Sequence, residues 1–323
     1  MRVNNLDRLK QNRFLVLGRA GMDLYADPPG TEIENAERFY AALGGSAGNI
    51  AAAIVKLDGA ASLITSVSND AVGRFTLNQI RNFGIGAAHV CTVGGEARTS
   101  LAVVETRAEN CQSVIYRNGA ADFQLSMGDV ENIPYHEYGA LVVTGTALAV
   151  EPSRQACFHA MSLARAAGLS VIIDLDYRPY SWASAGEATQ IYQEAVLNSD
   201  IVVGNDVEFA ITAASENGLE FARGLAATTA EIVVYKMGEK GSLTFTRDEE
   251  IEQGIFAVKA LKPTGAGDAF MGGFLTSLAN GFDLAASVKR SSAAAALVVT
   301  RVGCAPASPS TSELEIFMAS FKD

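Results

Sequence analysis

The chain has 323 residues, of which 49% are hydrophobic, enough to bury one large core or two ordinary ones. Its formal net charge is −11 and no run of Lys and Arg appears, which argues against nucleic acid or an anionic membrane surface as the main partner. Four scattered cysteines (Cys91, Cys111, Cys157 and Cys304) show no Cys-x-x-Cys spacing, and with three histidines there is no zinc pattern. They read as reduced packing residues. Met1 to Arg13 is polar, without the apolar centre of a secretion signal, and no apolar run reaches the roughly 18 residues of a membrane span. A cytosolic protein is expected.

Phe14-Leu15-Val16-Leu17-Gly18 reads as a buried parallel strand closed by glycine. Asp23 follows at the C-terminal edge, where open α/β sheets bind ligands. After the polar loop Asp27 to Gly30, the segment Thr31 to Leu43 is too polar for the core and is expected as an extended flap. Gly44-Gly45-Ser46-Ala47-Gly48-Asn49 opens a small-residue helix, with Ser46 as its expected N-cap. The double glycine lets backbone and a short amide approach a polar ligand, or equally makes a packing corner. Ala61 to Val67 reads as a strand and Asp70 to Asn82 as a helix stopped at Gly84. Arg98 to Thr106 and Gln112 to Arg117 alternate apolar and polar residues, the period of strands with one wet face, and predict a small antiparallel sheet. Arg107 and Arg117 near its ends are either ligand candidates or solvated surface.

The β-α alternation resumes with strands at Ala140 to Thr144, Leu169 to Leu175, Asp200 to Val203 and Ile232 to Lys236, separated by helices at Ser153 to Ala167 and Glu187 to Leu197. Asp174, Asp176, Arg178, Asn205 and Glu208 gather where these strands end, as in a binding crevice, although Asn205-Asp206 could simply cap the next helix. Gly238 to Gly241 forms a turn into the strand pair Ser242 to Thr246 and Ile251 to Ala257. No repeat or long linker interrupts the chain, so residues 1–323 read as one domain with an inserted lid made of about 23–43 and 98–117.

The chain is organised around Lys262 to Phe274, where a strand-like segment gives way to an apolar helix. Gly265 and Gly267 let backbone N–H groups face a ligand with no Cβ in the way, and the helix beginning at Ala266 adds its positive end, which makes an anion site. Asp268, in the first turn, could cap that helix or take a proton from an attacking hydroxyl. The plain alternative is a tight turn. No Lys-Ser/Thr follows the last glycine, so this is not a Walker A loop, and the first strand lacks the Gly-x-Gly-x-x-Gly of a nicotinamide site. A second Ala-rich helix, Leu284 to Thr300, suggests tight packing or a slot for a flat ligand beside Gly303.

From about Phe14 to Pro309 the chain resembles the ribokinase-like, or pfkB, carbohydrate kinases. The residues that carry the resemblance are Gly18-x-x-x-x-Asp23, Gly44-Gly45-x-x-x-Asn49, Asn205-x-x-Glu208, Gly238-x-x-Gly241 and Gly265-Ala266-Gly267-Asp268, in that order. The resemblance implies a three-layer α/β/α sandwich with a mainly parallel sheet and a β lid, and transfer of the γ-phosphoryl group of ATP to a sugar. Asp23, Gly44, Gly45 and Asn49 would hold sugar hydroxyls. Asn205 and Glu208 would organise Mg²⁺ through water and phosphate, and Lys236, Gly238, Gly241 and Gly303 would line the nucleotide. Asp268 would be the base and the amides of Gly265, Ala266 and Gly267 the anion hole. In a loose transition state the proton leaves late, so Asp268 needs no raised pKa.

One position departs from the family pattern. Many members carry Asp-Thr before x-Gly-Ala-Gly-Asp, and that Asp helps bind a monovalent cation, whereas this chain has Lys262-Pro263. Lys262 would replace the potassium or reach the nucleotide phosphates, unless it is a solvated strand-end lysine. Gly18 to Tyr25 and Asp174 to Trp182 most resemble kinases of keto-deoxy aldonic acids, 5-dehydro-2-deoxygluconate of myo-inositol breakdown first and 2-keto-3-deoxygluconate second. Phosphorylation would then fall on the terminal C6 hydroxyl, with the carboxylate held by Arg178 first and Arg107, Arg117 and Arg19 behind it. A fructokinase or ribokinase and a catalytically silent sugar-binding protein are the alternatives. A homodimer joined through the lid is expected from the relatives.

Overall fold

A computed structural model of the chain describes residues 5–321. In chain order its elements are β1 (Arg13–Leu17), β2 (Gly21–Asp27), β3 (Arg38–Gly44), α1 (Ser46–Lys56), β4 (Ala60–Ser68), α2 (Ala71–Asn82) and β5 (Gly86–Val93). Next come β6 (Leu101–Val104), β7 (Ser113–Tyr116), α3 (Met127–Glu131), β8 (Ala140–Thr144), α4 (Ser153–Ala166), β9 (Ser170–Asp174), α5 (Ala185–Leu197) and β10 (Ile201–Asn205). The chain ends with α6 (Asp206–Ala213), α7 (Gly218–Thr228), β11 (Ile232–Lys236), β12 (Ser242–Phe245), β13 (Glu250–Gln253), α8 (Ala266–Ala279), α9 (Leu284–Val299) and α10 (Thr311–Ala319).

Nine strands form the central sheet in the order β13-β12-β11-β10-β9-β8-β1-β4-β5. It is parallel from β11 to β5, and β12 and β13 close it as an antiparallel hairpin. Both faces are covered, which is why its central strands read as unbroken apolar runs. Leu15, Leu17, Val143, Val171 and Ile173 point to the side packed by α4, α5, α6 and α7. Phe14, Val16, Val142, Ile172 and Val203 point to the side packed by α1, α2, α8 and α9.

Side-chain caps set where several helices start. Asp70 accepts from the Val72 and Gly73 amides before α2, Ser184 from Glu187 before α5, and Asp283 from Ala286 before α9. Ser46 differs from expectation. The N-cap of α1 is Gly45, at φ +89, because a Cβ there would collide with the Arg19 carbonyl. Small residues also let helices approach closely. A Cβ on Gly272 of α8 would come within 2.5 Å of Ala53 on α1, and one on Gly273 within 3.1 Å of Ser291 on α9. Packing therefore accounts for the Ala-rich character of α9.

The second sheet, in the order β3-β2-β6-β7, is the lid. The segment expected as a flap is ordered differently, since Arg38 to Gly44 pairs with β2 along its whole length. The polar residues of that segment lie before the strand, in Thr31 to Glu37, whereas Arg38 to Gly44 is mostly apolar. Among the described residues no helix is long and apolar enough to cross a membrane.

Candidate active site

A cleft of about 280 Å³ opens between the lid and the ends of β1, β8 and β9. Its wall carries three carboxylates (Asp23, Asp176 and Asp268) and three guanidiniums (Arg19, Arg117 and Arg178). The N-terminus of α8 forms one end. Gly265 is its N-cap at φ +85, crowded by Cys304 and Val298, so only glycine fits there. A Cβ on Gly267 would lie 3.3 Å from the Lys236 ammonium, which places a cation beside the first turn.

Asp268 projects from that first turn into the cleft, where Asn49 Nδ2 donates to its Oδ2 at 2.8 Å. Burial, then the nearby Asp176 and Asp174 carboxylates, push its pKa up to about 8, against the pull of the Asn49 hydrogen bond and Arg178. This departs from the expectation of an ordinary pKa. Asp174, Asp176, Glu208 and Asp268 converge around Lys236, a crowding that could not be counted before the strand ends were placed in space.

Asp23 is buried in the wall of the cleft. Tyr25 donates to its Oδ2 at 3.1 Å, while Oδ1 is buried without a hydrogen bond and has the Arg19 guanidinium 4.0 Å away. Desolvation raises its pKa, opposed by Arg19. Gly44 and Gly45 do not line the cleft. A Cβ on Gly44 would overlap the Asp23 carboxylate and one on Gly45 the Arg19 carbonyl, so these glycines set where Asp23 and Arg19 sit without facing the cleft themselves.

The arginines divide. Arg178 pairs with Asp176 at 2.7 Å and lies 4.0 Å from Glu208. Arg117 is buried, holds Asp122 Oδ2 through Nε at 2.9 Å and lies over the Phe123 ring. Arg19 reaches Ser100 Oγ at 3.2 Å and Asp23 at 4.0 Å. Arg107 lies outside the cleft, contrary to its candidacy, with its guanidinium occupied by Glu105 at 2.7 Å and Glu32 at 2.9 Å. It stiffens the lid edge.

Lys236 stands at the end of β11, 3.7 Å from Asp174. Burial works against its charge, but Asp174, Glu208, Asp268 and Asp176 outweigh that and raise its pKa. Lys262 is not the solvated lysine of the plain reading. It is 0% exposed, and its Nζ donates to the carbonyls of Thr264 at 2.5 Å and Val298 at 3.4 Å. Burial lowers its pKa, while Cys304, Asp268 and Cys111 act the other way.

Asn205 and Glu208 form a reciprocal capping box on α6, and Glu208 Oε1 also accepts from the Tyr177 amide at 3.2 Å. Burial raises the Glu208 pKa. Among the described residues no cluster of three or more His, Cys, Asp or Glu could hold a metal by itself. Gly238 and Gly241 shape the turn between β11 and β12 at φ +59 and +86, and Gly303, at φ +84, packs on Pro306; none of the three lines the cleft. Tyr25 and Thr264 also line the cleft or its rim and were not singled out from the sequence. The alternation Asp23-x-Tyr25, which puts both on one face of a strand, was the available signal for the first.

The site thus combines the glycine-bordered N-terminus of α8, a carboxylate in its first turn, a buried ammonium beside it and a polar cleft under a lid. The sequence pattern of the pfkB family carbohydrate kinases matches residues 11–311. A 5-dehydro-2-deoxygluconokinase of Photobacterium profundum is 40% identical over 320 residues, covering 96% of each chain. One of Geobacillus thermodenitrificans is 33% identical over 328 residues, covering 100% of this chain and 97% of its own. Among solved structures, a fructokinase double mutant of Vibrio cholerae with fructose, ADP and potassium ion bound is 27% identical, with a TM-score of 0.83 over 94% of this chain and 97% of that one. A ribokinase-like protein of E. coli in complex with ATP and Mg²⁺ shares the fold at a TM-score of 0.87 over 95% of this chain and 99% of that one, with 19% identity. The chain therefore belongs to the pfkB family of carbohydrate kinases, and is an ATP-dependent sugar kinase on a ribokinase-like α/β/α sandwich.

Proposed function

We propose that the enzyme phosphorylates the terminal C6 hydroxyl of a keto-deoxy sugar acid, 5-dehydro-2-deoxygluconate before others. The observation that carries this is one cleft holding Asp268 at an anion-binding helix end together with three guanidiniums. The names of the relatives support it. Asp23, through its free Oδ1, accepts a sugar hydroxyl, and Asn49 holds Asp268 toward the hydroxyl to be phosphorylated. Asp268, once ionised, accepts the proton of that hydroxyl as the oxygen attacks phosphorus in line with the departing ADP. The amides of Gly265, Ala266 and Gly267 and the Lys236 ammonium meet the charge on the transferred group.

The residues present fit the nucleotide's phosphates and their metal. Thr264 Oγ1 is buried beside Gly265 without a partner, an available donor for phosphate oxygen. Mg²⁺, when bound, neutralises charge on the phosphates. Because the Asn205 and Glu208 oxygens are committed to backbone amides, their fit is to an ion held mainly by phosphate and water, as Mg²⁺ commonly is.

Lys262 takes the place of a monovalent cation in this reading. Its ammonium already sits on two carbonyls beside the anion-binding loop, as a fixed positive charge. The carboxylate of the sugar falls to Arg178 or Arg117, both in the cleft.

The outer face of the lid supports a homodimer. Leu24, Ala41, Val103 and Val114 lie in register across the four strands, with Phe39 and Tyr116 (40% and 61% exposed) flanking them, an apolar face that a second copy would cover. A monomer by light scattering at micromolar concentration would remove this part.

One observation favours a neutral sugar instead, since each cleft arginine already stands within 4.0 Å of a protein carboxylate. A coupled ADP-release assay with Mg-ATP and 5-dehydro-2-deoxygluconate, 2-keto-3-deoxygluconate, fructose and ribose decides. Turnover confined to the acids is expected. Turnover on fructose or ribose alone would discard the acid pocket and keep the kinase, and sugar binding without turnover on any would favour a silent binding protein.

A further inference from the structure

The Tyr25 hydroxyl joins the lid to the body of the protein at the wall of the cleft. Tyr25 lies on β2, is 0% exposed, and packs with Ala42, Ala102, Val104 and Cys304 beneath the lid. Its hydroxyl donates to Asp23 Oδ2 at 3.1 Å and accepts from the Cys304 backbone N–H at 3.1 Å. A phenol has one proton to give and lone pairs to receive, so both bonds are satisfied together only in this arrangement. Cys304 belongs to the body of the protein, in the segment after α9, and its Sγ lies 2.9 Å from the point a Cβ on Gly265 would occupy. One hydroxyl therefore joins the carboxylate at the sugar end to the segment that buttresses the N-cap of α8.

We infer that Tyr25 is a positioning residue that couples sugar binding to nucleotide binding, through Asp23 on one side and Cys304 against Gly265 on the other. The inference rests on the reading that Asp23 holds the sugar and that the α8 N-terminus holds the phosphates. A sugar hydroxyl arriving at the free Oδ1 of Asp23 fixes that carboxylate and hence Tyr25, and Tyr25 then holds the Cys304 segment against Gly265. The α8 amides are thereby ordered before the phosphates arrive. Ordering paid once by the first ligand need not be paid by the second, which is positive coupling, and it is reciprocal. Burial of all three partners raises the cost of losing either bond, and burial also keeps the phenol neutral by raising its pKa well above the ordinary value.

The test is the affinity of a non-hydrolysable ATP analogue, by calorimetry, with and without saturating sugar, in wild type and Tyr25→Phe. The sugar is the one turned over in the panel assay, so failure of the functional reading shows there, as absent turnover, and not in this comparison. Wild type is expected to bind the analogue about five- to fifty-fold tighter with sugar present, within the usual range of coupling factors. Tyr25→Phe should bind it within twofold of wild type when sugar is absent and lose most of the tightening. Equal tightening in both proteins, or none in wild type, overturns the inference. Should the variant fail to fold, hydrogen exchange on wild type decides alone: sugar without nucleotide should slow exchange of the Cys304 amide, and an unchanged rate overturns the coupling.

Discussion

Asn49 Nδ2 lies 2.8 Å from Asp268 Oδ2, joining the first turns of α1 and α8 across 219 residues of sequence. The contact is possible because the two helices pack almost backbone to backbone where Gly272 meets Ala53. It aims a carboxylate from one motif using an amide from another. Asn49 Oδ1 is buried without a hydrogen-bond partner, which leaves an acceptor beside Asp268 in the cleft.

Replacing that carboxylate with a neutral amide of the same shape separates binding from chemistry. Asp268→Asn is expected to lower kcat by about 10²- to 10⁴-fold, the range of general-base contributions, with the sugar KM within a few-fold of wild type. Steady-state kinetics on purified protein check it, and near-normal turnover would take Asp268 out of the mechanism.

The same substitution should change how stability responds to pH. The Asp268 pKa is about 8 in the folded chain, against an ordinary value of 3.8. Between those values the folded state holds a proton that the unfolded state has released, so this group makes stability fall as pH rises through that window. Asp268→Asn removes the effect. The difference in Tm, variant minus wild type, should therefore grow from pH 5 to pH 8, as scanning calorimetry at several pH values would show.

Activity should follow the opposite trend. A protonated Asp268 cannot accept the hydroxyl proton, so kcat/KM is expected to rise with pH toward a limb near the folded pKa of about 8. A kcat/KM limb at pH 4 to 5 would show instead that the carboxylate is solvated and ordinary.

Lys262 predicts the response to salt. With an ammonium already on the Thr264 and Val298 carbonyls, the rate should differ by less than about twofold between sodium, potassium and tetramethylammonium chloride at equal ionic strength. Strong potassium activation of wild type would sink the replacement. Lys262→Met should lose turnover and stability, since two inward-facing carbonyls are left without their donor, at about 1–3 kcal/mol for each group left unsatisfied.

Arg178 carries the prediction on specificity. Arg178→Lys keeps a charge beside Asp176 but loses the planar fork, so KM should rise more for acid sugars than for neutral ones. Equal effects on both classes would make Arg178 structural.

Much of this was legible in the chain. Strands β8 and β11 begin and end where their apolar runs do, and the lid strands β6 and β7 fall inside the alternating segments. Asp268 and the glycines before it stand out because a helix start needs so few residue types to bind an anion. Less visible was β3, whose apolar stretch directly follows the polar Thr31 to Glu37 and was read with it as one segment. Arg107 and Arg117 looked alike as strand-end arginines, yet one is consumed by Glu105 and Glu32 outside the cleft, while the other lines the cleft with its guanidinium held by Asp122.

The sequence by itself determined the β-α alternation, the start of α8 at Ala266 and the family, because apolar period and glycine placement are local and act within a few residues. Tertiary structure alone decided that Asp174, Asp176, Glu208 and Asp268 crowd one another, that Lys262 is buried on carbonyls, and that Tyr25 bridges the lid to Cys304. The physical reason is distance: charge interactions, desolvation and hydrogen bonds depend on separations in space, and those are set by which strand ends the sheet order brings together.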